Sequence, residues 1–306
     1  MSSEADSLSG DAAAAVAPAR RCPRKSHGGV GRRFGAAVLL LLAMLAALYS
    51  LMPLIWATAS ALRPGEEIFR YLSPLSIWSL LPRHPTLGNL HVLWTGEFAR
   101  AMANSLIVTS VTVVLGLLLC SAAAFALAVL RFPGRSVVFA LMVVSFLIPF
   151  DSIAVPLATL FRGFNLQNTY TGLVLPGLGN GLAVFMLRQF FLGIPRVLSE
   201  AAMVDGLGWW GIYTRIYLPL SRPALIGAGL ILFVFQWQSY LWPLLIAPAP
   251  QVHVVSVAIA NFSTELGVDY GEMFAATTFA VLVPMLIMLF FQRYFAASLA
   301  TSGMKE

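Results

Sequence analysis

Lysine is almost missing from this 306-residue chain, which has only Lys25 and Lys305, preceded by Arg24 and Met304. Without a Gly-Lys-Ser/Thr phosphate loop, the chain does not hydrolyse ATP in that way. Charge of both signs is scarce, at 10% of residues. The histidines, His27, His84, His91 and His253, are isolated. None has a partner at the spacing of a zinc-binding helix, and no nucleophile elbow occurs. Two cysteines, Cys22 and Cys120, fall in the N-terminal stretch and inside an apolar segment. They read as free thiols, not as a disulfide framework. The apolar segments also lack the Asp/Glu/His series that a proton relay requires, which argues against a secondary transporter.

What the chain has is apolar length. At 59% hydrophobic residues and a mean hydropathy of +0.83, it is far more apolar than a soluble domain and belongs in a bilayer. A formal charge of +6 in a soluble protein would suggest nucleic acid as a partner. Here the arginines cluster at the ends of apolar segments, which is a membrane topology signal instead.

Six segments are long and apolar enough to span, at residues 34–57, 102–129, 136–160, 170–192, 224–247 and 274–292, since a spanning helix needs about 20 such residues. A cleaved signal peptide competes for the first, because basic residues precede it and Ala57, Thr58 and Ala59 resemble a cleavage site. Its length exceeds the roughly 7–15 residues of a signal core, which favours a span. Residues 1–33 are rich in Ser, Ala and Gly and read as a disordered basic tail. Its run from Arg20 to Arg33 either meets anionic lipid headgroups or holds the N-terminus in the cytoplasm. Pro149 and Pro156 are expected to bend the third span. Asp151 reads as the cap of a broken helix end near the interface, or else as a functional acid. Six spans from a cytoplasmic N-terminus return the C-terminus to the same side. Only Arg63, Arg70, Arg83, Arg100 and Arg162 of the 19 basic residues then fall outside, as the positive-inside rule demands.

The stretch 195–223 interrupts the apolar pattern with SEAAMVDGLGWWGIYTRIYLPLSRP from Ser199 onward. Val197, Leu198, Ala201, Ala202 and Val204 give one apolar side of a short helix, with Ser199 and Glu200 in its early turns. Asp205 and Gly206 read as its turn and C-cap. A second short helix from Trp209 to Tyr217 leads to Pro219 and Pro223. Such a helix-turn-helix at a membrane surface is a docking site.

The pattern Glu200, Ala201, Ala202, Asp205, Gly206, Ile216, Leu218, Pro219 and Pro223 resembles the cytoplasmic EAA coupling loop of permease subunits in ATP-binding-cassette importers. Asn104 to Leu106, the RFPG of 131–134, the LRQFF of 187–191 and the YLWPL of 240–244 look like carbohydrate-uptake permeases of the maltose G and glycerol-phosphate type. The resemblance implies an all-α membrane protein with the six-helix type I importer fold in the cytoplasmic membrane. It implies a second homologous permease, two ATPase subunits and an extracytoplasmic solute-binding protein as partners, with no nucleic acid. No cofactor is implied for this chain, because ATP is bound by the partner subunits. The chain would be a non-catalytic subunit that moves a sugar, oligosaccharide or polyol phosphate by alternating access. Against it stand an ATP-independent transporter or channel, and a non-transporting anchor for a soluble complex.

Glu200, Ala201, Ala202, Asp205, Gly206, Leu218 and Pro219 would couple to the ATPase. Gln236, Trp237, Gln238 and Tyr240 either offer amides and rings to sugar hydroxyls along a path, or serve interhelical packing and an interfacial belt. Similar permeases often have Asn where Gln238 stands. Residues 248–272 read as an outer loop. There Asn261, Ser263 and Thr264 suggest contact with the binding protein, beside an ordinary solvated reading. The tail from 298 to 306 is expected to be mobile by itself and, by resemblance, to enter the ATPase interface.

Overall fold

The computed structural model describes residues 29–70, 76–94, 96–264 and 267–302. Residues 1–28 of the expected basic tail, with Cys22, and Lys305 lie outside them, whereas residues 29–33, with Arg32 and Arg33, begin the first helix rather than belonging to a disordered tail. The chain divides within its first helix, at Met52 and Pro53, into two units.

The first unit is the larger part of helix α1, Gly29–Ala61. From residue 35 to residue 52 every side chain is exposed and the sequence carries no charge, which is the composition of a helix solvated by hydrocarbon.

The second unit begins with the end of α1 from Pro53, followed by short 3-10 turns between 65 and 93. Helix α2 follows at Glu97–Ala128, beginning five residues before the expected 102. The third segment is not one straight helix. Helices α3, Arg135–Leu147, and α4, Phe150–Gly163, meet at 97°. Ile148 sits at φ −75° and ψ 121°, the extended conformation that a following proline imposes, and Pro149 has no N–H to continue the ladder. Each arm measures about 20 Å at 1.5 Å per residue, less than a bilayer core of about 30 Å. Pro156 lies inside α4 without breaking it, so the bend comes from Pro149 alone. Asp151 makes no cap. Pro149 is the N-cap residue, no side chain accepts there, and Asp151 is exposed in the first turn, where only the helix dipole favours it.

The fourth segment is α5, Tyr170–Val174, a 3-10 turn at Leu175–Gly177, and α6, Gly181–Leu192, with a 45° bend beside Pro176, Gly177 and Gly179. The cap of α5 is Thr169, whose Oγ1 accepts from Gly172 N at 3.0 Å. That of α6 is Asn180, whose Oδ1 accepts from Ala183 N at 3.0 Å. Next come α7, Arg196–Val204, α8, Trp209–Ile212, a π-helical turn at Tyr213–Tyr217, and α9, Leu218–Leu220.

The fifth segment is shorter than expected. Helix α10 covers Arg222–Trp237, and a separate α11 covers Leu241–Ile246. The break has a backbone cause: Pro243 cannot donate to the carbonyl of Ser239, which accepts instead from Ser256 Oγ at 2.7 Å.

The outer loop is folded. It contains α12, Val255–Ala260, and a small hairpin of β1, Ser263–Thr264, against β2, Gly267–Val268, an exception to the all-α expectation. Helix α13 then runs from Tyr270 to Ser302. Residues 298–302 of the expected tail continue α13 as helix, since neither glycine nor proline interrupts the sequence between Pro284 and Gly303.

Helix α2 unites the interior. Its Phe125 and Cys120 join α6, α8 and α10 through Leu187, Phe191, Ile212 and Leu232. Its Phe98 and Ala101 join α10, α12 and α13, and its Val108 joins α4, α5 and α11. Glycine permits the approach. A Cβ on Gly116 would stand 3.2 Å from Leu232 Cδ1, and one on Gly229 of α10 would stand 3.2 Å from Leu117 Cδ1. Near the opposite end from the 195–223 loop, Asn104 is 2% exposed. Its Nδ2 donates to the carbonyls of Gln251 at 3.0 Å and His253 at 2.9 Å, and its Oδ1 accepts from Tyr170 OH at 2.7 Å. Ser105 Oγ accepts from Val255 N at 2.7 Å.

This arrangement makes Asn104→Ala costly, because it leaves buried polar partners unmatched at a penalty of about 1–3 kcal/mol. Its melting temperature in detergent is expected to fall clearly below that of Leu118→Ala, a truncation at an exposed site of the same helix. Equal melting of the two would refute the argument.

Candidate functional site

The docking loop closes on a left-handed glycine. Helix α7 ends with Leu207 N donating to Ala202 O at 2.9 Å and Gly206 N donating to Met203 O at 3.0 Å, the paired bonds of a Schellman motif. Gly206 has φ +84°, where a side chain meets steric cost. Asp205 is the C-cap residue before it.

Of the apolar side expected on α7, Ala202 faces inward and Val197, Leu198, Ala201 and Val204 face outward. Ser199 and Ala202 are its buried residues, while Val197 and Val204 are 69% and 88% exposed and Ala201 is exposed between them. These three lie at i, i+4 and i+7, one continuous stripe. Glu200 is exposed beside the stripe in the second turn, so its contact with the helix dipole is weaker than a first-turn position would give. Trp209 and Trp210 extend the exposed apolar surface at 46% and 73%. Arg131 and Phe132 of the RFPG turn border the same cleft as Glu200 and Trp209, about 570 Å³ in volume.

Beneath the loop lies an aromatic floor. Phe125 of α2 packs edge-on against Tyr217 at 5.0 Å and tilted against Tyr213 at 5.2 Å. Phe191 of α6 packs edge-on against Tyr217 at 5.5 Å. Two buried hydroxyl pairs accompany the rings: Tyr213 OH with Ser121 Oγ at 2.7 Å, and Tyr217 OH with Ser199 Oγ at 3.0 Å. Sequence reasoning missed both. The available signal was two tyrosines four apart opposite serines in otherwise apolar or small-residue surroundings. Leu218 and Pro219 fall in α9, directly after the π turn. The neighbouring turn is braced by arginines: Arg135 Nη1 donates to Leu130 O at 3.0 Å, and Arg188 Nε donates to Leu127 O at 3.1 Å with its guanidinium 3.9 Å from the Phe139 ring centre.

The residues singled out for a solute path are divided. Trp237 is buried and stacked on Phe233 at 5.7 Å, so its ring belongs to the core. Gln236 is half-buried against the break between α5 and α6, where a Cβ on Gly177 would approach its Oε1 to 2.5 Å and Thr112 Cγ2 to 2.8 Å. Gln238 and Tyr240 are exposed in the non-helical link between α10 and α11. In the outer loop, Asn261 is exposed and its Nδ2 lies 3.4 Å from His253 Nδ1. Ser263 is exposed in β1, paired with Val268, and Thr264 follows it opposite Gly267.

Residues 113–301 match the family described as binding-protein-dependent transport system inner membrane component. The chain is 33% identical over 261 residues to the arabinooligosaccharides transport system permease protein AraQ of Halalkalibacterium halodurans, covering 85% of this chain and 92% of that one. It is 28% identical to the sn-glycerol-3-phosphate transport system permease protein UgpE of Pectobacterium atrosepticum, covering 87% and 95%. Among solved structures it resembles a chain from a bacterial ABC transporter involved in the import of the acidic polysaccharide alginate, with a TM-score of 0.73, 22% identity, and coverage of 87% and 98%.

The glycine at the loop's turn supplies a test. Nothing lies within 4 Å of a Cβ built on Gly206, so only backbone strain opposes substitution. Gly206→Val is expected to destabilise the turn by about 1–2 kcal/mol, seen as faster protease cleavage between 204 and 209. Gly206→Asn, which tolerates the left-handed region, should stay near wild type. Indistinguishable cleavage of the two would contradict the strain account.

Proposed function

This chain belongs to the binding-protein-dependent transport system inner membrane component family, and from that premise we propose that it is one permease subunit of an ATP-driven carbohydrate importer. The observation that carries the reading is the outward stripe of Val197, Ala201 and Val204 beside Glu200. An apolar surface on a charged loop between spans is neither in the hydrocarbon nor in the core, and a partner protein is what would cover it.

In this reading the partner is a dimer of ATPase subunits on the cytoplasmic side, where both termini of the chain also lie. Val197, Ala201 and Val204 fill an apolar groove in one ATPase subunit, and Glu200 meets a basic side chain at its rim. Gly206 sets the angle between α7 and α8. ATP closes the ATPase dimer, α7 moves with it, and the spans attached to the loop open toward the outside; hydrolysis resets them. ATP is bound by those partners, and this chain carries no cofactor. A second, homologous permease completes the pathway, and a solute-binding protein delivers cargo to the outer face, where Asn261, Ser263 and Thr264 present a polar surface.

The carbohydrate class follows from relatives named for arabinooligosaccharides and glycerol 3-phosphate. Within this chain, Gln236, Gln238 and Tyr240 are the candidates for solute contact, and Trp237 acts as packing support behind them.

Reconstituted with its partners in vesicles, the complex is expected to take up the carbohydrate that its copurifying binding protein retains, and only with ATP inside and that protein outside. Uptake without ATP would mark a secondary transporter or channel, and unchanged uptake after removal of this chain would mark an anchor. Val204→Asp should weaken the hold on the ATPase by about tenfold, equivalent to about 1.4 kcal/mol, measured by copurification. Deleting Thr301 to Glu306 should lower ATPase recovery while leaving the chain in the membrane; unchanged recovery would reduce this end to a spectator.

A further inference from the structure

Between the docking helix and the spans stands a turn of unusual geometry. At Tyr213–Tyr217 the backbone is π-helical, with Leu218 N donating to Tyr213 O, and such turns concentrate at functional positions. Its cause lies next in sequence. Pro219 cannot donate to Arg215 O, and in a regular helix its ring would press on that carbonyl, so the ladder widens immediately before it.

The tyrosines at the two ends of this turn point their hydroxyls at different bodies. Tyr217 OH pairs with Ser199 Oγ on α7, the helix that the proposed function places on the ATPase. Tyr213 OH pairs with Ser121 Oγ on α2, the helix that enters all three apolar clusters. Ser121 Oγ also lies 3.2 Å from Leu118 O, which accepts the serine proton when Tyr213 donates to Ser121. All four side chains are at most 4% exposed.

We propose that Ser199, Tyr217, Tyr213 and Ser121 form the connection through which movement of α7 reaches α2, with the π turn as the deformable element between two fixed hydroxyl contacts. The proposal rests on the docking reading of α7. The residues act as positioning residues, for they touch neither nucleotide nor solute. A π turn holds an extra residue per loop of its ladder and can return to α-helical bonding by shifting that residue along the chain. In doing so it changes the separation of Tyr213 and Tyr217 without unfolding, and the hydroxyl pairs convert that change into displacement of α7 against α2.

The test uses the whole complex with its ATPase and second permease in nanodiscs, and a non-hydrolysable ATP analogue as the probe. Hydrogen exchange is followed at 196–204 and at 117–125. In wild type, the analogue is expected to change exchange in both segments. In Tyr217→Phe and Ser199→Ala, which keep the packing and lose the bond, the change at 196–204 should persist while that at 117–125 falls about fivefold or more, the lower end of ordinary coupling. Tyr213→Phe should behave alike, and Ser199→Thr, which restores a hydroxyl, should restore the response at 117–125. A response at 117–125 undiminished in the three hydroxyl-deletion variants overturns this proposal alone. Loss at 196–204 together with loss of ATPase from the complex reduces the pairs to structural support and overturns it as well. No response at 196–204 in wild type overturns the docking reading and the proposal with it.

Discussion

In hydrocarbon a backbone N–H or C=O has no water to turn to, and each place where a helix of this chain breaks must find its hydrogen bonds inside the protein. Several of the breaks described above meet that demand with a particular side chain, whereas the one at Pro149 has no side-chain cap. Thr169 and Asn180 cap the two halves of the interrupted fourth segment. Trp242 Nε1 donates to Gly172 O at 3.0 Å, and Arg162 Nη2 donates to Leu245 O at 3.1 Å. Asn168 uses its side chain to accept from Ala249 N at 2.9 Å and its own N–H to donate to Ile246 O at 2.8 Å.

That dependence explains how far the sequence could be read. Hydropathy finds apolar runs, and all six expected segments contain helix. It does not register a 97° turn within a run, because Ile148 and Pro149 are as compatible with a kinked span as with a corner. The outer loop was underestimated for a similar reason. Val255, Val257 and Ala258 are too few to signal a helix by periodicity, and what holds them is the distant pair Asn104 and Ser105, 150 positions away from Val255 in the case of Ser105.

At the docking loop the local signals were complete. Glycine at the turn and proline at the exits act through the conformations of single residues, so Gly206 and Pro219 were legible in isolation. The facing of α7 was not, because its apolar side could equally have packed inward. Ser199 went inward instead, since Tyr217 offers it a hydrogen bond there, and the valines were left outside. For Trp237 the sequence left solute stacking and interhelical packing both open, and Phe233 one turn earlier on α10 claims the face of its ring.

The contrast between whole and broken helices assigns mechanical parts. Helices α2 and α13, of 32 and 33 residues, run about 48–50 Å without interruption, while α10, of 16 residues, packs against both and has a break at each end. The short rod is held on both flanks: Leu232 leans on Gly116 of α2, and Phe233 and Trp237 enter the cluster that α10 shares with α13. A shift of α10 along its own axis would therefore have to carry the contacts of both long helices with it.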